Sequence, residues 1–291
     1  MNCFNEYSPI RKLAIRSVEE AFCHESKLEE QWQALRFHAK PNYQIALQEY
    51  KRLEDIFTSA SIQIEYLGGN EKLTLDSIYA RDALLISPAG LILCRMGREG
   101  RRHEPLANST ALSDEKINGA IISPGTLEGG DFIWLDDSHA AVGLGPRTNQ
   151  AGIDQLKTLL GPNVDLHTVP LPAPDHPDDV FHLMSMISPL DDNLALIYRP
   201  LMPDTFLTWL ETLGIEFVDV HESEFLDMAC NVLAMGPRKI LMLDGLPKTK
   251  ARLEHAGCEV TCYKGDEISR KGEGGPTCLT RPIYRTASME P

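Results

Sequence analysis

Residues 127–171 read LEGGDFIWLDDSHAAVGLGPRTNQAGIDQLKTLLGPNVDLHTVPL, and the plan of the whole chain is contained in them. An apolar strand leads through a short polar turn to a second apolar strand. A helix-period stretch then closes on Gly161, and a third strand follows. The same content recurs in residues 181–222, FHLMSMISPLDDNLALIYRPLMPDTFLTWLETLGIEFVDVHE. It recurs again in residues 230–264, CNVLAMGPRKILMLDGLPKTKARLEHAGCEVTCYK. A fixed period of roughly 50 residues with common strand–turn–strand–helix–strand content is the signature of a repeat architecture.

One chemistry-bearing residue or pair stands at the head of each unit: Asp82, Glu128, His182, Cys230-Asn231 and Cys278. If the units close into a ring, residues at one station converge on one axis. Two acids, a histidine and a cysteine far apart in sequence are then expected to meet.

Bulk composition narrows the possibilities. The chain has 291 residues, 43% apolar and 24% charged, as expected of a globular domain, and the repeat favours one domain across residues 1–291. Net charge is −14, from 28 Lys+Arg against 42 Asp+Glu, which argues against a nucleic-acid or membrane partner. It suits a small cationic substrate, and a homo-oligomer is compatible with it. The N-terminal MNCFNEYSPIRKL has no apolar signal region, and no run of 18 apolar residues exists, so a cytoplasmic protein is expected. Seven irregularly spaced cysteines read as free thiols.

In chain order, Ile10–Ile15 reads as a strand, Asn42–Ser59 as a helix with an Asn at its head, and Ile62–Leu67 as a strand. Residues 17–40 read as a loop with helical turns around Leu28–Leu35, which could cover a site but reads better as a surface loop. Asp76–Ser87 (DSIYARDALLIS) reads as an apolar strand interrupted by Arg81 and Asp82, a charged pair that must be paired or used. Most arginines of RMGREGRR, from Arg95 to Arg102, are expected in solvent. The glycines of LEGGD suit close approach by a ligand or another backbone. Arg147, at a strand end, could bind a carboxylate bidentately. The glycines around it fit neither a dinucleotide fingerprint nor a P-loop. Pro170–Asp179 reads as a rigid, proline-rich connection. His182 lacks a metal-ligand spacing, and alone it reads as a structural histidine. Cys258 and Cys262 share one face of a strand and read as packing groups. Cys278 follows a Gly-rich loop, where a thiol can be exposed enough to react if something favours its thiolate.

Taken together, DSIYARD, RMGREGRR, LEGGD, GLGPRTNQAG, FHLMS and GGPTCLT, in that order, resemble the guanidine-modifying pentein enzymes. These include dimethylarginine dimethylaminohydrolase, arginine deiminase and the amidinotransferases. The resemblance implies an α/β fold, a five-bladed propeller of ββαβ modules with pseudo-fivefold symmetry and the site on its axis. It implies Cys278 as nucleophile, His182 as general acid and base, and Glu128 with Asp82 as the carboxylates that hold a guanidinium. Arg101 and Arg147 correspond to residues that bind the substrate α-carboxylate. Asp76 corresponds to a supporting acid, and Asp131 completes LEGGD.

That chemistry suits the residue types. A delocalised guanidinium carbon is a poor electrophile and calls for a thiolate, while carboxylates fix its plane. A histidine protonates the departing amine and then activates water against the covalent thiouronium. No metal and no organic cofactor is called for. Met184, two residues after His182, and the lack of room for an extra helical domain lean toward the dimethylaminohydrolase branch. Arg81-Asp82 is more deiminase-like, and Leu279 departs from the aromatic that follows the cysteine in amidinotransferases. Three readings follow: hydrolysis of an arginine-like guanidine, amidino transfer to an amine, or a non-catalytic binding ring.

Overall fold

The structure, a computed structural model, describes residues 4–173 and 181–286. The chain opens with β1 (Ile10–Ile15), α1 (Val18–Ala21), α2 (Glu25–Gln31), α3 (Tyr43–Ser59) and β2 (Gln63–Tyr66). A first full unit follows as β3 (Leu84–Ser87), β4 (Gly90–Leu93), α4 (Glu104–Ala111) and β5 (Ile117–Ala120). The second is β6 (Phe132–Trp134), β7 (His139–Leu144), α5 (Gln150–Leu160) and β8 (Asp165–Pro170). The third is β9 (Ile187–Asp191), β10 (Leu194–Ile197), α6 (Asp204–Thr212) and β11 (Glu216–Asp219). The fourth is β12 (Leu233–Gly236), β13 (Lys239–Leu243), α7 (Pro247–His255) and β14 (Glu259–Tyr263), and β15 (Arg281–Arg285) ends the described chain.

Each unit makes its own three-stranded sheet. The second strand pairs antiparallel with the first and parallel with the third, as in β6–β7–β8. A parallel partner needs a crossover, and the helix supplies it. Gly161, Gly214 and Gly257 follow the helices at φ of 84, 77 and 82°, a conformation that costs other residues a Cβ clash. The fifth sheet joins the two ends of the chain: β15 lies antiparallel to β1, which lies parallel to β2. The ββαβ modules are therefore five, and the last is completed only when the termini meet.

Burial follows from this layering. Central strands are covered on both faces, so β10 and the Ile240–Leu243 part of β13 are wholly buried. Third strands lie at the rim, and β2 and β5 carry exposed ends. Each helix buries one stripe; in α3 it includes Ala46, Tyr50, Leu53 and Phe57, and Asn42 caps the helix by accepting from Ile45 N–H.

Some sequence expectations need correction. Asp76–Ser87 is not one strand: Leu75–Ile78 forms a 3-10 turn, and the strand begins at Leu84. The turn lets Arg81 and Asp82, one residue apart, reach different partners. Residues 17–40 are not only a surface loop, since Leu28 and Phe37 are buried in the core. Of the two thiols read as packing on a strand, Cys258 precedes β14 and is buried, whereas Cys262 is exposed. All six described cysteines are free. The connection Pro170–Asp179 lies outside the described residues from 174 onward. No helix among the described residues is long and apolar enough to cross a membrane.

Candidate active site

The five stations occupy the turns that enter the first strand of each module, and hydrogen bonds tie those turns in a closed ring. Gly129 N–H donates to the Asp82 carbonyl (2.8 Å), and Leu183 N–H to Asp131 Oδ1 (3.0 Å). Ser188 Oγ donates to the Cys230 carbonyl (2.7 Å), and Thr277 N–H to Asn231 Oδ1 (3.1 Å). Arg81 N–H donates to the Cys278 carbonyl (3.1 Å) and completes the circuit. Every link joins one module to the next. Residues up to about 200 positions apart are thereby held within contact of one another.

A cavity of about 560 Å³ opens over this ring, within the usual range for a small-molecule site. Asp76, Asp82, Arg98, Arg101, Arg147, His182 and Cys278 line it. Glu128 and Asp131 do not reach the cavity; both stand behind it, fully buried. Glu128 holds His182, accepting from Nε2 at 2.9 Å. It also accepts the N–H groups of Gly97 and Arg98 at 2.9 and 3.2 Å. Arg147 Nη1 lies 3.4 and 3.5 Å from its two oxygens. Asp131 is a strut: it accepts from Thr148 Oγ1 (2.6 Å) and from Leu183 N–H.

Asp82 is gripped from two sides. Arg101 Nη1 donates to Oδ2 (2.5 Å) and Gly130 N–H to Oδ1 (2.9 Å). Gly130 has to be glycine, because a Cβ there would stand 2.6 Å from His182 Nδ1 and 2.8 Å from Asp82 Oδ1. Arg101 is committed elsewhere as well, with Nε and Nη2 forked on Glu104 at 2.8 Å each and Nη2 on the Tyr79 carbonyl at 2.9 Å. It positions Asp82 and is not disposed to fork onto a ligand carboxylate. Arg98 pairs with Asp76 (2.8 Å). Neither arginine is in solvent, contrary to the reading of RMGREGRR; their partners Asp76 and Asp82 come from a segment whose proximity the sequence does not display.

The electrostatics follow from burial and these pairs. Burial pushes the Glu128 carboxyl up, but the His182 hydrogen bond and the Arg147 and His182 charges outweigh it and hold it well below the usual range. Burial disfavours the His182 cation, yet Asp82, Asp131 and Glu128 raise its pKa to about 9. Nε2 is engaged by Glu128, so Nδ1, 3.9 Å from Asp82 Oδ1, is the nitrogen left for chemistry in the cavity. Burial and the Asp82 charge push the Cys278 thiol up, against a hydrogen bond from Asn231 Nδ2 at 3.0 Å. Burial raises Asp131 to about 6.

Asp82, Glu128 and His182 present donor atoms within 4.8 Å of one another, a set that could hold a metal ion. Each already has an ionic partner, Arg101, His182 and Glu128 respectively, which a metal would have to displace.

The family described as "N,N dimethylarginine dimethylhydrolase, eukaryotic" matches residues 20–285. The chain belongs to this family. A dimethylarginine dimethylhydrolase relative, the N(G),N(G)-dimethylarginine dimethylaminohydrolase of Streptomyces coelicolor, is 30% identical over 213 residues, 72% of this chain and 76% of its own. In backbone the chain is similar to a mutant DDAH from Pseudomonas aeruginosa complexed with citrulline, at TM-score 0.75 and 22% identity, covering 95% and 99% of the two chains. It is also similar to an amidinotransferase from Microseira wollei in the saxitoxin biosynthetic pathway, at TM-score 0.82 and 15% identity, covering 100% and 98%. At those identities the likeness concerns the fold, the five-bladed pentein propeller.

Sequence reasoning missed the contribution of five residues to the site. Asn231 stood at the fourth station without an assigned role, and it bridges Cys278 and Thr277. Glu104 anchors Arg101. Leu35, Arg36 and His38 help line the cavity, from the segment read as a surface loop. Met184 is buried with Ile133, Leu183 and Met186 and faces no ligand space of the main cavity.

Proposed function

We propose that this pentein chain, as one domain across residues 1–291, is a cysteine hydrolase acting on the guanidino carbon of arginine or an Nω-methylated arginine. The products are citrulline and ammonia or the corresponding amine, methylamine from a monomethylated and dimethylamine from an asymmetrically dimethylated substrate. The observation that carries this reading is the joint lining of one cavity by Cys278, His182, two carboxylates and several arginines. A guanidinium and an α-carboxylate are the two charges such a lining matches.

In this reading Asp82 and Asp76 accept the guanidinium N–H groups and fix its plane against Cys278. The bare site keeps Cys278 as the thiol; the arriving cation offsets the Asp82 charge and favours thiolate, the thiol proton leaving to solvent as the substrate binds. Sγ attacks the guanidino carbon, and His182, a cation at neutral pH, gives its proton to the departing amine. The S–C bond then joins a thiouronium to the protein. The now neutral His182 takes a proton from water as it attacks the same carbon, and Sγ leaves. Glu128 keeps the imidazole oriented and stabilises its cation throughout. Arg147 faces the substrate carboxylate, a role the commitments of Arg101 leave to it.

The test is a citrulline-release assay on arginine, Nω-monomethylarginine and asymmetric dimethylarginine, with wild type and Cys278→Ala side by side. Citrulline from at least one substrate, lost in the variant, is expected. No citrulline from any of the three would overturn the substrate assignment.

A further inference from the structure

Arg81 and Asp82 are consecutive, yet their side chains line different cavities. Asp82 faces the large one, whereas Arg81 helps line a small cavity of about 30 Å³ with Glu6, Trp134, Arg281 and Arg285. Three guanidinium groups and one carboxylate share that small space. The arginines are at most 4% exposed and Glu6 is 9% exposed.

Glu6 cannot match both Arg81 and Arg281. Glu6 Oε2 takes Arg81 Nη1 at 3.1 Å and stands 3.8 Å from Arg285 Nη2. Arg281 makes no ion pair among the described residues: Nε and Nη2 both donate to the Arg81 carbonyl, at 3.2 and 2.6 Å. Arg81 Nη2 is buried with no hydrogen-bond partner among the described residues. Burial and the Arg81 charge push Arg281 down to about 9, and burial pushes Arg285 down to about 10. Arginine does not surrender its proton near neutral pH, so the excess charge has to be met by something else. The cavity exceeds the roughly 10–15 Å³ that one water requires. A water would satisfy a donor but bring no charge.

We propose that this cavity binds one small monovalent anion of halide size, held by Arg81 and Arg281. Its position ties it to the site. Arg81 donates through its N–H to the Cys278 carbonyl and through Nε to the Thr277 carbonyl at 3.0 Å. The anion meets the charge of Arg281 and links it to Arg81, the residue that secures the turn bearing the nucleophile, and thereby stabilises that turn.

Two measurements on the full-length wild-type protein test this. Crystals grown in sodium bromide are expected to show an anomalous peak in the small cavity; water alone there would overturn the proposal. Melting temperature is expected to rise saturably with chloride or bromide relative to sodium gluconate at equal ionic strength. Identical melting in halide and gluconate would also overturn it. Arg281→Gln is expected to raise the half-saturating halide concentration at least tenfold, and an unchanged value would contradict the assignment.

Discussion

The floor and the rim of the cavity are built differently. On the floor and directly behind it, Asp82, His182 and Cys278, with Glu128 beneath them, each have hydrogen bonds running to a neighbouring module, and the acids and the histidine are at most 4% exposed. At the rim, Leu226 is 92% exposed, and His38 meets Glu273 at 2.8 Å with side chains 63% and 47% exposed. Buried ionic groups lose much when one partner is removed, whereas exposed pairs contribute about 0–1 kcal/mol. Reaction type therefore belongs to the floor, and the rim is where substrate preference can vary at little cost to stability.

Substitutions should separate the two regions. Cys278→Ala is expected to abolish citrulline release with an unchanged circular dichroism spectrum. Glu128→Gln should lower kcat/KM on the order of 10²- to 10⁴-fold, the usual worth of a positioned acid–base group. It should also move the alkaline limb of the pH–rate profile to lower pH, because His182 loses a charge that keeps it protonated up to about 9. Glu104→Gln should leave Arg101 underpaired and cost roughly 3–5 kcal/mol, read in chemical denaturation. At the rim, Leu226→Ala should change stability by no more than about 0.5 kcal/mol and act chiefly on KM. An equal loss of kcat from Leu226→Ala and Glu128→Gln would break the distinction.

Stability should also depend on pH through His182. The folded protein holds that proton more tightly than the unfolded chain, whose imidazole titrates near 6.5. The stabilisation is full below about 6.5 and is lost as pH rises through about 9. Melting curves across this window should slope downward for wild type and lose that component in His182→Gln.

The repeat was legible because strand–strand–helix–strand units write their periodicity locally, and α3 announced itself through Asn42 and one apolar stripe. The stations were legible because each stands just before a first strand. What the sequence could not display is pairing between segments apart in the chain. Arg81 meets Glu6 and Arg98 meets Asp76, so arginines that look solvated, and a turn that looks like a strand, are fixed by partners elsewhere. The same cause hid the commitment of Arg101 to Asp82, and the place of Leu35 and His38 at the rim.

The central claim is that the ring of turns makes Cys278 the nucleophile. It is tested most directly by quenching the enzyme during turnover of a guanidine substrate and mapping cysteine adducts by peptide mass spectrometry. An added mass of the substrate-derived amidine on Cys278, absent from the other cysteines, is predicted. Turnover that persists in Cys278→Ser, with no adduct on Cys278 in wild type, would contradict the account.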